Sequence, residues 1–176
     1  MRDFDLDGAI RRVKDFPRQG ILFYDITSVL TNPGAFAYCV ERMVEEYRDK
    51  GIQAVAAIEA RGFLFAAPFA EKMGLPLILV RKKGKLPGET LSQSFELEYG
   101  QDEIQIHKAD VKPGDNILIV DDLAATGGTL KAAADLLVRA GGRVQDIFSV
   151  IGLPFLPYKE ILKDYRVKTL IEFHSE

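Results

Sequence analysis

The residues with most chemical content lie in one run, Ile117-Leu118-Ile119-Val120-Asp121-Asp122-Leu123-Ala124-Ala125-Thr126-Gly127-Gly128-Thr129. Its apolar start predicts a buried strand, its two carboxylates stand at the carboxyl end, and a Thr-Gly-Gly-Thr turn opens a helix. Open α/β sheets bind ligands beyond the carboxyl ends of their strands. Glycines let backbone approach a ligand closely and adopt positive φ. The first amides of the following helix lack internal partners, so they can hold a phosphate. Thr126 and Thr129 add hydroxyl donors, and Asp121 and Asp122 are spaced to accept hydrogen bonds from the vicinal hydroxyls of a sugar. Two other phosphate-binding patterns, G-x-G-x-x-G and G-x-x-x-x-G-K-[ST], do not occur in the chain.

Such a turn needs a rigid scaffold. Short apolar runs bounded by Gly, Pro or charge predict buried strands over Ala54–Ile58, Pro76–Val80, Asn116–Val120 and Val144–Ile151. Helical spacing fills the intervals, over Ala35–Lys50, Arg61–Met73 and Thr126–Ala140. Strand–helix alternation implies a doubly wound α/β domain over 1–176, with a mostly parallel sheet flanked by helices, because parallel neighbours need crossover connections. Residues 82–107 break that rhythm. Ser92–Tyr99 and Glu103–His107 alternate as two antiparallel strands around Gly100-Gln101-Asp102. This predicts an inserted hairpin of the kind that serves as a lid or binding loop.

Composition narrows the function classes. A formal net charge of −3 lacks the basic excess of a dedicated nucleic-acid binder. Cys39 is the single cysteine, so no intramolecular disulfide forms and a reducing compartment is favoured; on a helix it reads as a small buried hydrophobe. Met1–Asp7 mixes charges and lacks the apolar stretch of a secretory leader. The longest apolar run, Gly62–Ala70, falls short of the roughly 20 residues of a membrane helix. The expectation is a cytoplasmic protein without membrane or nucleic-acid partners. With His107 and His174 the only histidines, there is no His/Cys cluster for zinc.

The Asp121–Thr129 segment resembles the phosphoribosyl-pyrophosphate signature of the type I phosphoribosyltransferases. Further motifs resemble one branch, the adenine phosphoribosyltransferases: Phe16-Pro17, Gly20-Ile21-Leu22-Phe23 and Asp25-Ile26-Thr27 match its N-terminal base-binding segment (1–34). Glu59-Ala60-Arg61-Gly62-Phe63 matches its pyrophosphate loop, and Arg81-Lys82-Lys83-Gly84-Lys85-Leu86-Pro87-Gly88 with Leu97-Glu98-Tyr99-Gly100 its mobile hood. The resemblance implies transfer of a 5-phosphoribosyl group to N9 of adenine, giving AMP and pyrophosphate. Ala125, Thr126, Gly127, Gly128 and Thr129 would cradle the 5′-phosphate, and Asp121 and Asp122 would hold the ribose hydroxyls. Glu59, Ala60, Arg61, Arg81, Lys82 and Lys85 would bind pyrophosphate, whereas Lys83 reads as a solvated surface lysine. Phe23 would stack on the purine, backbone groups of Leu22 and Tyr24 would read its edge, and Leu156 would pack on its other face. Glu98 would contact the base or the reacting centre while Tyr99 closes over it. The resemblance also implies magnesium, bound mainly through the donor and water, and a homodimer.

Two places depart from that pattern. Tyr24 stands where many members of the family carry arginine, and Gly152-Leu153-Pro154-Phe155-Leu156-Pro157 lacks the acidic residue and glycine expected after the last long strand. The sequence therefore leaves open transfer to another purine (xanthine, hypoxanthine or guanine), and a non-catalytic regulator that binds phosphoribosyl pyrophosphate.

Overall fold

Every side chain of Ala54–Ile58 is buried, which requires cover on both faces of the sheet, and two separate sets of helices supply it. The computed structural model describes residues 4–96 and 100–175. In chain order these begin with α1 (Leu6–Ala9), β1 (Arg11–Lys14), β2 (Leu22–Asp25), α2 (Thr27–Leu30), α3 (Pro33–Tyr47), β3 (Ala54–Ile58), α4 (Gly62–Met73) and β4 (Leu77–Lys82). There follow β5 (Thr90–Glu96), β6 (Gln101–His107), β7 (Asn116–Ala124), α5 (Gly128–Arg139), β8 (Arg143–Gly152), α6 (Tyr158–Ile161) and β9 (Arg166–Glu172).

Seven strands form one sheet in the order β5-β6-β4-β3-β7-β8-β9, and β1 and β2 form a separate two-stranded sheet. From β4 through β9 along this order the pairings are parallel, while β6 pairs antiparallel with β4 and with β5. The doubly wound α/β expectation therefore holds. On one face Cys39 and Met43 of α3 and Phe65 and Phe69 of α4 pack with Val55, Ala57, Leu118 and Val120. On the other, Leu130, Ala133 and Leu137 of α5 pack with Ala54, Ala56, Ile117 and Ile119. Successive strand residues alternate between the two clusters, as a period of two demands. Cys39 is fully buried, and that burial pushes its thiol up to about 12, so it behaves as core.

The observed boundaries differ from the sequence reading in ways that matter for the site. β7 runs four residues beyond Val120, because β8 stays alongside it as far as the Ala124–Gly152 pair. The two aspartates thus lie within a paired strand rather than in a loop after it. β6 begins at Gln101, paired with Glu96, so Gln101 and Asp102 belong to the strand and not to the turn. The hairpin is tied to the main sheet at its base, through Arg81 opposite Gln105 and Lys82 opposite Ile104. β5 lies against α5, whose Arg139 donates to the Gln93 side chain at 3.0 Å and to the carbonyl of Ser92. Three strands were not foreseen: β9, an edge strand with several charged residues, and the four-residue strands β1 and β2.

Candidate active site

Arg61 is the N-cap of α4, and Asp121 and Asp122 stand on the neighbouring strand β7. Their closeness depends on Gly62. A Cβ at that position would lie 2.9 Å from the carbonyl oxygen of Val120, 3.0 Å from Asp121 Oδ1 and 3.1 Å from Asp121 Cα. Only glycine lets the α4 N-terminus rest directly on the end of β7. The Glu59–Ala60 peptide just before it is cis.

The contact brings Arg61 Nε to 2.5 Å from Asp122 Oδ2. The Asp122 side chain is almost entirely buried and that of Arg61 about half exposed. Burial works against the Arg61 charge, but the hydrogen bond and negative charge of Asp122, with Asp121 behind it, hold the guanidinium above its ordinary value. Asp121 accepts the Asp122 amide on Oδ1 at 2.8 Å. Its carboxyl is raised well above the usual range, first by burial and then by the adjacent charge of Asp122.

A second ion pair forms at the end of β3. Glu59 accepts from Arg81 through both oxygens, at 3.2 and 3.3 Å, and from the Lys82 amide at 2.9 Å. Burial alone would raise the Glu59 carboxyl, but these donors outweigh it and hold it below its ordinary value. Arg81 also donates to the Lys85 carbonyl at 3.2 Å, and Lys82 pairs with Asp102 at 3.0 Å. Lys83 pairs with Glu103 away from these groups at 2.8 Å, as a surface lysine should.

These side chains surround a cleft of about 340 Å³ lined by Glu59, Ala60, Arg61, Lys82, Asp121, Asp122 and Thr129, with Phe95 and Asp102 from the hairpin. A smaller hollow of about 100 Å³ opens beside it, bounded by Asp121, Leu123, Ala125, Thr126, Gly127 and Thr129. Gly127 has φ of +89°, and its amide plane turns the chain into α5. The opening amides of α5 lack intrahelical partners and face this loop, so the hollow suits a phosphate. A third cleft of about 460 Å³ is lined by Val13, Phe16, Phe23, Asp25, Thr27 and Arg61. Phe16 packs edge-on to Phe23, with centroids 5.1 Å apart. Asp25 is held low chiefly by the Thr27 hydroxyl, 2.6 Å away, against the opposing effect of burial, and further by the Thr27 amide and Arg11.

Most of the residues expected at phosphate, ribose and pyrophosphate line the first two clefts, whereas Arg81, Lys85 and Gly128 line none of the three, and Arg61 lines both the first and the third. Phe23 faces the third cleft. Tyr24 alternates to the other side of β2, where its ring is buried against Phe173, so of Tyr24 only the backbone is available on the cleft side. Leu22 packs against the main core. Leu156 lies in the turn after β8, its amide bonded to the Leu153 carbonyl, and lines none of these clefts. Lys85 is exposed at the base of the hairpin. Glu98 and Tyr99 lie outside the described residues. The sequence reading passed over Phe95 and Asp102 as site residues and quoted Asp25 only as part of the base-binding segment. The first two are cross-strand partners, legible only once the hairpin register is known.

A hollow suited to phosphate at a glycine-rich turn, two aspartates separated from that turn by Leu123 and Ala124, and an arginine beyond them are the marks of a phosphoribosyl transferase domain. A family profile of that description, phosphoribosyl transferase domain, matches residues 25–174. The chain is 61% identical over 176 residues to the adenine phosphoribosyltransferase of Treponema denticola, covering 100% of this chain and 93% of the relative. The crystal structure of adenine phosphoribosyltransferase from Thermoanaerobacter pseudethanolicus superposes with a TM-score of 0.91 at 46% identity, covering 96% of this chain and 98% of the other. That of the Saccharomyces cerevisiae enzyme, complexed with an imino-altritol bisphosphate and adenine, gives 0.89 at 35% identity over 95% and 97%. The chain belongs to the adenine phosphoribosyltransferase family.

Proposed function

We propose that this protein transfers the 5-phosphoribosyl group of phosphoribosyl pyrophosphate to N9 of adenine, forming AMP and releasing pyrophosphate, a purine-salvage reaction. The observation that carries this reading is the line of adjoining clefts, with the phosphate hollow at one end, Phe23 at the other and Arg61 between them. The 5′-phosphate sits on the amides and hydroxyls of Ala125–Thr129. Asp121 and Asp122 accept the ribose hydroxyls, which fixes the anomeric carbon toward the base. The leaving pyrophosphate meets Arg61, Arg81, Lys82 and Lys85, with Glu59 orienting Arg81 and Ala60 lining the same cleft. Arginine suits this task because its planar fork binds phosphate oxygens in pairs.

The base stacks on Phe23, while main-chain groups of Leu22 and Tyr24 read its edge. Such readout selects a 6-amino over a 6-oxo purine because the wrong donor pattern leaves buried groups unpaired. Leu156, expected on the other face of the base, lines none of the three clefts and is given no part in this reading. Glu98 supports the reacting centre, and Tyr99 with the 82–107 hairpin covers the site and excludes water, which would otherwise hydrolyse the activated sugar.

The cleft fits magnesium through its hard oxygen donors, Asp121 and Asp122 among them. Among the described residues no three His, Cys, Asp or Glu side chains are grouped to hold a metal by themselves. Magnesium bound mainly by the donor and water would neutralise charge on the departing pyrophosphate.

A homodimer in the cytoplasm completes the reading. It is supported by Leu64, which is 45% exposed on α4 directly after the pyrophosphate loop, and by the lone buried thiol, which suits a reducing compartment. Among the described residues no helix is long and apolar enough to cross a membrane.

The test is competition. The protein is incubated with phosphoribosyl pyrophosphate, magnesium and equal adenine, hypoxanthine, guanine and xanthine, beside an Asp121→Asn/Asp122→Asn control. AMP as the dominant product, lost in the control, is expected. IMP, GMP or XMP would overturn the assignment of the base, and binding of the donor without any nucleotide product would overturn catalysis.

A further inference from the structure

The small sheet that carries Phe23 shares no backbone ladder with the main sheet. Something else must hold the base-binding strand at a defined distance from the donor clefts. The alternation of β2 divides its work. Phe23 and Asp25 face the third cleft together with Val13, the partner of Phe23 on β1. Tyr24 faces the opposite way, and its ring lies parallel to Phe173 with centroids 3.9 Å apart and planes 4° from coplanar. The Tyr24 hydroxyl donates to the Ser175 carbonyl at 2.9 Å. Arg12, the partner of Tyr24 on β1, lies over both rings, 5.8 Å from the centroid of Tyr24 and 5.2 Å from that of Phe173. Its guanidinium is anchored in turn by Asp7 at 2.7 and 3.0 Å.

Phe173 belongs to the main sheet's side of this contact. Its amide donates to the Gly152 carbonyl at 3.0 Å, directly after the Gly152–Glu172 pair that ends the β8–β9 ladder. The stack is therefore a bridge from the β8–β9 edge of the catalytic domain to the strand that presents the base-binding face. Both rings are more than nine-tenths buried.

Resting on the proposed adenine transfer, we infer that Phe173 is a positioning residue for the acceptor base: with Tyr24, Arg12 and the Ser175 carbonyl it clamps β2 so that Phe23 meets the donor at the right separation. The clamp touches none of the groups assigned to phosphate, ribose or pyrophosphate. Its loss should therefore be felt by the base and not by the donor. A parallel aromatic pair contributes enough that its removal changes affinity by roughly two- to ten-fold.

The experiment measures steady-state constants for both substrates in the wild-type chain and in Phe173→Leu, Phe173→Tyr and Tyr24→Phe, with thermal unfolding of each. The wild-type chain first establishes AMP formation; if it forms none, the proposed reaction fails rather than the clamp. Given that activity, Phe173→Leu is expected to raise KM for adenine about five-fold and KM for phosphoribosyl pyrophosphate less than about two-fold. Phe173→Tyr, which keeps the stack, should restore the wild-type constants. Tyr24→Phe, which loses only the bond to Ser175, should show a smaller rise in KM for adenine alone. Equal rises in both KM values, or unchanged constants with a lowered Tm, would reduce the clamp to general stability and overturn the inference. If Phe173→Leu does not fold, Tyr24→Phe decides by the same split between the two KM values.

Discussion

Gly62→Ala adds one methyl group at the point where α4 meets β7. The new carbon would stand 2.9 Å from the Val120 carbonyl oxygen, where ordinary contact begins at 3.4 Å, so something must yield by about 0.5 Å. The carbonyl belongs to a central strand paired on both sides. The helix can retreat little, because Phe65 and Ala66 in its first turns are fully buried. Overpacking of this sort costs about 1–3 kcal/mol. Alanine returns at most about 1 kcal/mol through helix propensity, and less in the first turn. The net loss of about 1–2 kcal/mol lowers Tm by roughly 2–8 °C in a domain of this size. Activity should suffer more. A displacement of 1 Å at reacting groups costs about a hundred-fold, so 0.5 Å between Arg61 and Asp121 should cost on the order of ten-fold in kcat/KM for phosphoribosyl pyrophosphate. The assay pairs a titration of that donor at saturating adenine with a thermal melt. A variant with wild-type kcat/KM and a raised Tm would show that the close approach is not enforced, and with it the account of how Arg61 is placed would fall.

Three other perturbations probe the same neighbourhood. Asp121 has a folded-state pKa above its unfolded value, so the native state binds the extra proton and stability declines as pH rises through that interval. Asp121→Asn without substrates should therefore raise Tm at neutral pH, and the gain should vanish as pH falls below the ordinary carboxylate range near 3.8; a constant gain at all pH values would contradict the assigned shift. Asp122→Asn removes the charge facing Arg61 and should cut kcat/KM by about a hundred-fold. A fall in Tm with intact kinetics would instead make the pair structural. Gly127→Ala forces alanine to φ near +89° and places its Cβ 3.0 Å from Tyr158 Cα. At a cost of about 1–3 kcal/mol the phosphate turn should distort, with KM for the donor rising and KM for adenine unchanged; parallel rises in both would argue against a local effect.

The central strands and the Asp121–Thr129 turn were legible because the information is local: an apolar run, two carboxylates and two glycines contiguous in the chain. β3 and the helices α3 and α4 followed from the same kind of pattern, although α3 starts two residues before the expected Ala35, where Asn32 accepts from the amides of Gly34 and Ala35. What stayed hidden depends on partners distant in sequence. β9 is an edge strand with Lys168 and Arg166 toward solvent, and its period becomes evident only beside β8. Asp102 looked like a turn residue until its pairing with Phe95 placed it on a strand facing Lys82. Tyr24 is the sharpest case. As a departure from the family pattern it pointed at the base, yet its ring faces Phe173, a residue that no local pattern connects to it.

The electrostatics of the clefts imply how a polyanion enters. Arg61 is paired with Asp122, Arg81 with Glu59, and Lys82 with Asp102. Three of the four cations proposed for pyrophosphate are thus already engaged by carboxylates lining the same space. On the proposed reaction, binding the donor would be an exchange of partners: phosphate oxygens would replace carboxylates on the arginines and lysine, and Asp122 would be freed toward ribose hydroxyls. An exchange costs less than desolvating free charges, since each cation leaves one anion for another in the same partly buried surroundings. Burial and the adjacent charge of Asp122 both disfavour ionisation of Asp121 in the free protein. Magnesium held by the donor would add positive charge beside these two carboxylates, favouring their charged forms. Arg61 lines both the donor and the base clefts, so a change of its partner in the first would be felt in the second.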